Sequence, residues 1–409
     1  MLTLLGIGFL LFLIQVVAAL PWLAVVNWDQ VQRWLKQPAS FAFRRLLVYA
    51  AGVLIVGALG PAVLLLIIQD ADTLRGWGRV YGAVLHLQLA ADFFVAVFGL
   101  LALVWPKGAA VALSAFREGL RQPMFWLFIL GGLVAIAVFL VLPYFTFGED
   151  FIMMKQIDYD IIMILAAVFG VLAASMSISE EIEGRTAVTL MSKPVSRRQF
   201  LVGKFVGILL AALVMSSILS WVFDWSLLAK RYLDRMDPVP PPEGLVSAVT
   251  SLGLPVEASA YLMGCGLWFA DAWEAAPGLL LGFCQVMVLT AVAAALATRL
   301  PVILNVPACG VIYFLGNLTS EMVAVANRYQ AGEGGGSVVG QMLGFVARLF
   351  DTLVPRLGLF SLDPALVGDA PLPTGPFLMH LGSAALLGTL YTLVALIFGL
   401  ILFEDRDLA

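Results

Sequence analysis

Apolar residues run through this chain in long blocks, broken by polar stretches that differ greatly in length. A membrane-spanning helix needs roughly 20 mostly apolar residues, and nine segments qualify: about 2–26, 46–68, 82–105, 124–145, 160–178, 204–227, 276–298, 302–319 and 379–403. The first lacks a basic n-region, since the first Lys or Arg is Arg33, and it is longer than a secretion signal's apolar stretch. It is read as a retained span. The pattern therefore predicts an all-α polytopic membrane protein of about nine transmembrane helices. Residues 1–105 form a three-helix N-terminal unit joined by short loops, and six spans follow from 124 to 409.

The polar segments refine this picture. In 106–123, Leu113, Phe116 and Leu120 line one side while Arg117, Glu118 and Arg121 take the other, the pattern of an amphipathic helix lying in the membrane interface. Pro123 sits at the expected start of the next span. Two segments, 229–275 and 320–378, are long. The first contains Asp237 to Glu243 with four prolines, which reads as a stiff extended piece. The second contains the glycine-rich run 332–336. After it, Val339, Met342, Leu343, Val346, Leu349, Phe350 and Leu353 recur at helical spacing, so 338–354 reads as an amphipathic helix on the outer leaflet or as an ordinary packing helix.

Charge adds an orientation. With the N-terminus outside, the segments facing the cytoplasm hold 14 of the 23 Lys and Arg in about 75 residues, the bias expected of cytoplasmic loops. That places the C-terminus in the cytoplasm and makes 229–275 and 320–378 external. The expected location is the inner (cytoplasmic) membrane. Composition agrees: 62% of the residues are hydrophobic and 12% charged, with a mean hydropathy of +1.00, against roughly 25% charged in a soluble domain. Cys265, Cys284 and Cys309 have neither metal-ligand nor redox spacing and read as small packing residues. No metal site is expected, nor any partnership with nucleic acid.

The loop after the fifth span, 179–204, is the most informative stretch. Glu180, Glu181, Glu183 and Arg185 extend the span-five helix as a charged arm, with Gly184 between them. Pro194 disfavours helix at Lys193 and marks a break. Ser196 and Gln199 have capping-box spacing for a second helix, which Arg197 and Arg198 open and whose membrane entry Lys204 marks. A helix–break–helix whose arms both continue into spans can transmit a push from a soluble partner. A stop-transfer loop would explain the arginines but neither the clustered glutamates nor the break.

The pattern Glu-x(2)-Glu-Gly-Arg-Thr, then Leu-Met-Ser-Lys-Pro-Val-Ser-Arg, then Gly-Lys ahead of a span resembles the first cytoplasmic loop of ABC-2-type ABC transporter permeases. Phe116 to Pro123 is similar to that family's N-terminal interfacial helix, and Leu353 to Phe360 to its segment before the last span. The resemblance covers about 110–409, and the three spans ahead of it depart from the family's usual start. It implies a six-span ABC-2 exporter core and a second permease subunit, as a homodimer. It also implies a separate ABC ATPase that binds ATP and Mg. The coupling contact would then fall on Glu180, Glu181, Glu183, Gly184, Arg185, Lys193, Pro194, Arg197, Arg198 and Lys204.

The chain itself has no phosphate-binding G-x(4)-G-K-[ST] loop: Gly203-Lys204 is followed by Phe205. With two histidines, His86 and His380, and no paired-carboxylate site, it is expected to bind no cofactor and to catalyse no reaction. Ionisable residues inside spans are costly and carry functional hypotheses. Asp92, near the middle of span three, is either a packing group or a proton site. His86 lies about 120° away around that helix. Gln285, Asn305 and Asn317 could line a conduit or make interhelical hydrogen bonds. An ATP-independent transporter or a scaffold using Asp92 is the alternative to the exporter.

Overall fold

The computed structural model describes residues 67–142, 150–183, 195–234, 240–331, 354–360 and 374–404, with isolated positions in the first two apolar segments and between 342 and 349. Among the described residues the fold is entirely helical. The helices are α1 (Ala71–Val104), α2 (Pro106–Arg121), α3 (Pro123–Val141), α4 (Asp150–Glu183), α5 (Arg197–Leu233), α6 (Glu243–Ser251), α7 (Val256–Leu296), α8 (Val302–Ala331) and α9 (Thr374–Glu404), with a 3-10 turn at Leu357–Phe360 before α9. Six of them, α1, α3, α4, α5, α7 and α9, are long and apolar enough to cross a membrane, and α8 has a shorter apolar stretch over Val302–Leu318. The protein is an all-α polytopic membrane protein. Most of segments 2–26 and 46–68, and most of 338–354, lie outside the described residues.

Two compact units emerge from the packing: residues 1–104 with 237–274, and residues 105–236 with 275–409. Residues 237–274, read from sequence as part of an external segment, thus group with the N-terminal residues. Helix α7 begins at Val256, not near 276, and runs on past Pro277, which lies inside it. Its first stretch packs along one side: Ala258, Tyr261 and Trp268 are buried while Glu257 is partly exposed.

In the first unit, Asp70 opens α1 by accepting hydrogen bonds from the Thr73 amide (2.9 Å) and hydroxyl (2.6 Å), an N-cap arrangement. Those two bonds favour the ionised carboxylate and hold its pKa below the ordinary range. Helices α1 and α7 approach backbone to backbone through glycines. A Cβ on Gly78 would strike the Tyr261 carbonyl, and one on Gly264 the Arg75 carbonyl. The Gly78/Gly82 spacing is the small-xxx-small device of close helix pairs in membranes.

In the second unit, α4, α5 and the later part of α7 are central. Phe169, Ile178, Phe200, Ala211, Leu219, Val286, Ala291 and Ala294 are among its fully covered residues. Helices α3 and α9 are peripheral, with broad apolar faces left exposed, including Leu127, Leu130, Leu390 and Ile397. Pro106 and Pro123 stand at the first positions of α2 and α3, and Gln122 between them is extended (ψ 132°). That single residue separates the two helices.

Helix α2 packs closely along α5. Gly108 and Val111 meet Gly203, Ala112 meets Gly207, and Gly119 meets Ala211. Because both sets ascend together, α2 and α5 run in the same direction. The buried face of α2 is its small-residue stripe, Gly108, Ala109, Val111, Ala112, Ala115 and Gly119. Leu113, Phe116 and Leu120, the apolar side read from sequence as facing the membrane interface, are half-buried.

Candidate functional site: a polar hub at the loop end

The break between α4 and α5 carries the segment singled out in the sequence, and polar groups concentrate around its two arms. Gly184, Arg185, Lys193 and Pro194 fall outside the described residues. Of the flanking residues, Glu180 and Arg198 are exposed. Glu183 closes α4.

The start of α5 follows from Ser196. Its hydroxyl accepts from the Gln199 amide (3.2 Å), and its own amide donates to Gln199 Oε1 (3.0 Å), completing the capping box expected from the spacing. Two turns further on, Lys204 is 4% exposed. Its ammonium donates to Glu181 Oε1 (2.6 Å) on α4, to Glu118 Oε2 (3.1 Å) on α2 and to Ser177 Oγ (2.8 Å) on α4. The Ser177 hydroxyl in turn lies 3.3 Å from both Glu118 oxygens. One buried cation therefore ties three helices together. Lys204 and Glu181, which the sequence offered as surface contacts, are partners of each other. The Gly203/Gly207 approach makes this possible by bringing α2 close enough for Glu118 to reach Lys204.

A second set of bonds joins the same end to α9. The Arg197 guanidinium donates to the carbonyls of Phe403 (2.6 Å) and Glu404 (2.8 Å) and lies 5.5 Å from the Phe403 ring centre. Arg198 faces Glu404 at 3.6 Å. Arg299, in the turn after α7, donates to the Leu402 carbonyl (2.8 Å). The last carbonyls of a helix lack intrahelical donors and carry its negative dipole end, so two arginines satisfy them from outside. Ser179 completes the ring by donating to the carbonyls of Ala297 (3.3 Å) and Leu300 (3.0 Å).

The intramembrane polar candidates do not converge. Gln285 donates to Asn317 Oδ1 (3.1 Å), and Asn317 donates to the Tyr313 carbonyl (2.9 Å). Asn305, fully buried, donates to Ser175 Oγ and to the Ala293 carbonyl, both at 2.9 Å. These three side chains make hydrogen bonds within and between helices. Asp92 lies in the first unit, 3% exposed. His86 instead faces Trp268, whose indole N–H donates to His86 Nδ1 (3.3 Å). The three cysteines are free, and no cluster of metal ligands occurs among the described residues.

Glu118, Ser177 and Arg299 were not singled out from sequence. The signals were present in the Gly203-x(3)-Gly207 spacing and the small-residue stripe of α2. Neither reveals, without coordinates, which charge faces which.

Residues 120–230, which include α3, α4, the loop and most of α5, match the family described as ABC-2 family transporter protein. That stretch is similar to the ABC-2 family, in agreement with the resemblance of the 179–204 loop. No curated protein matches the chain.

Proposed function

We propose that this chain is the permease subunit of an ABC exporter, driven through the 179–204 loop by an ATPase on a separate polypeptide. The observation that carries the reading is the wiring of that loop. Its first arm carries Glu181 and its second begins at Arg197, and both are fastened to other helices by charge-assisted bonds. A displacement of the loop would reach α2 and α5 through Lys204, and α9 through Arg197. Exposed Glu180, with Glu183, Gly184, Arg185, Lys193, Pro194 and Arg198, would meet the ATPase on the cytoplasmic side. Lys204 and Glu181 would hold the arms stiff from behind. ATP and Mg would be bound by the partner. A second copy of the permease would complete the translocation route, placing the protein in the inner membrane.

Affinity purification in mild detergent tests this. A nucleotide-binding subunit should accompany the wild-type protein and be lost from a Glu180→Arg/Glu183→Arg variant that still inserts and remains monodisperse. Purification without an ATPase in several detergents and nanodiscs would overturn the reading and turn attention to Asp92.

A further inference from the structure

Along α2 lies an open cleft of about 730 Å³, lined among others by Ser114, Arg117, Glu118, Arg121 and Gln122. Arg117 and Arg121 are one helical turn apart and exposed, and neither has an ion-pair partner among the described residues. Glu118 also lines the cleft, but its carboxylate is engaged by the Lys204 ammonium and the Ser177 hydroxyl, so the two arginines outnumber it there. The cleft therefore presents two forked cations, and the Ser114 hydroxyl stands one turn before Arg117. At its far end, the Gln122 side-chain carbonyl oxygen is buried without a hydrogen-bond donor. The site thus asks for an anion flanked by a donor.

What lies next to the cleft narrows the occupant further. Gln122 is where α2 gives way to α3, a helix long and apolar enough to cross a membrane. The first turn of α3 carries Trp126, 59% exposed, whose indole N–H donates to the Leu120 carbonyl (3.1 Å). Tryptophan held in this way is the side chain of the membrane–water boundary. Beyond it Leu127, Leu130, Val134, Val138 and Val141 are exposed at helical spacing. A polar, doubly cationic cleft thus opens directly onto an apolar stripe.

We propose that the α2–α3 junction binds one phospholipid. Arg117, Arg121 and Ser114 hold its phosphate, Gln122 accepts from a headgroup hydroxyl or ammonium, and an acyl chain lies along the exposed stripe of α3. Phosphate oxygens match the guanidinium fork, and a glycerol or ethanolamine headgroup supplies the donor that Gln122 lacks. Free phosphate satisfies the arginines but not the stripe. An acidic face of a protein partner leaves the apolar stripe uncovered. The inference rests on the membrane reading alone and stands whether or not an ATPase is found.

Native mass spectrometry of the purified full chain, exchanged into detergent with added phosphatidylglycerol or phosphatidylcholine, tests it. Wild type should retain one phosphatidylglycerol in preference to phosphatidylcholine. Arg117→Gln/Arg121→Gln should weaken that retention by about 25-fold, the product of about fivefold for each charge. Arg75→Gln, in the first unit, should leave it unchanged. If the double variant is not monodisperse, Arg117→Lys and Gln122→Leu serve instead, each expected to reduce retention severalfold. Equal retention by wild type and variants overturns the proposal. So does full displacement by millimolar inorganic phosphate, which would mark a phosphate site. Loss of a co-purifying protein with lipid unchanged would overturn it in favour of a protein contact.

Discussion

Two helix pairs in this molecule bring backbones into direct contact through glycine, yet they use charge differently. In the first unit, α1 and α7 meet through Gly78, Gly82 and Gly264, and the nearby polar pairs are loose. Arg79 stands 3.7 Å from Asp271, with both side chains partly exposed. In the second unit, α2 and α5 meet through Gly203 and Gly207, and the charge between them is buried and tight at Lys204. A glycine contact by itself fixes separation but says little about which helices move together. Adding a buried cation with partners on two other segments converts a packed pair into a junction, because moving one arm costs ion-pair energy in all three.

The contrast can be broken most forcefully at Gly207. A Cβ there meets the Ala112 carbonyl, a backbone atom that cannot step aside. Gly207→Val should therefore cost at least about 3 kcal/mol, the upper end for overpacking, and abolish monodisperse protein on size-exclusion chromatography. Lys204→Met comes next. It leaves Glu118 and Glu181 side by side, both partly exposed, so the loss should be about 2 kcal/mol, below the ~3–5 of fully buried pairs. Adding Glu118→Gln and Glu181→Gln should restore the thermal midpoint without restoring ATPase coupling, which separates stability from transmission. Asn305→Ala deprives the Ala293 carbonyl of a donor and should cost about 1 kcal/mol, within the range of interhelical bonds in membranes. The smallest effect belongs to the first unit. Arg79→Gln should shift stability by less than about 1 kcal/mol, as expected of a long, partly exposed pair, read as the thermal midpoint in detergent.

Much of the architecture was legible because bilayer physics writes it in composition. Apolar length marked out α3, α4, α5 and α9, and Ser196 with Gln199 located the start of α5. Pro106 and Pro123 sit where helices begin. What could not be read is of a different kind. Helix α7 starts some 20 residues earlier than its apolar stretch because Tyr261 and Trp268 are buried by packing, a long-range fact with a weak local signature. Lys204 reads as a boundary lysine by position alone. Its burial depends on Glu118, which is 86 residues away. Leu113, Phe116 and Leu120 made the obvious apolar side of α2, yet close approach selects small residues over large ones, so alanine and glycine form the buried face.

The length of α5 has a mechanical consequence. Its 37 residues at 1.5 Å rise make a rod of about 55 Å, against roughly 30 Å of hydrocarbon. Such a rod overhangs the bilayer core, and any rocking of it is shared between its two ends without an intervening joint. A tilt of about 5° around its midpoint swings each end of that rod by about 2.4 Å, nearly the length of a hydrogen bond. A modest pull where Arg197 grips α9 would then register at the opposite rim, around Lys230 and Asp234, whose own ion pair spans 3.1 Å.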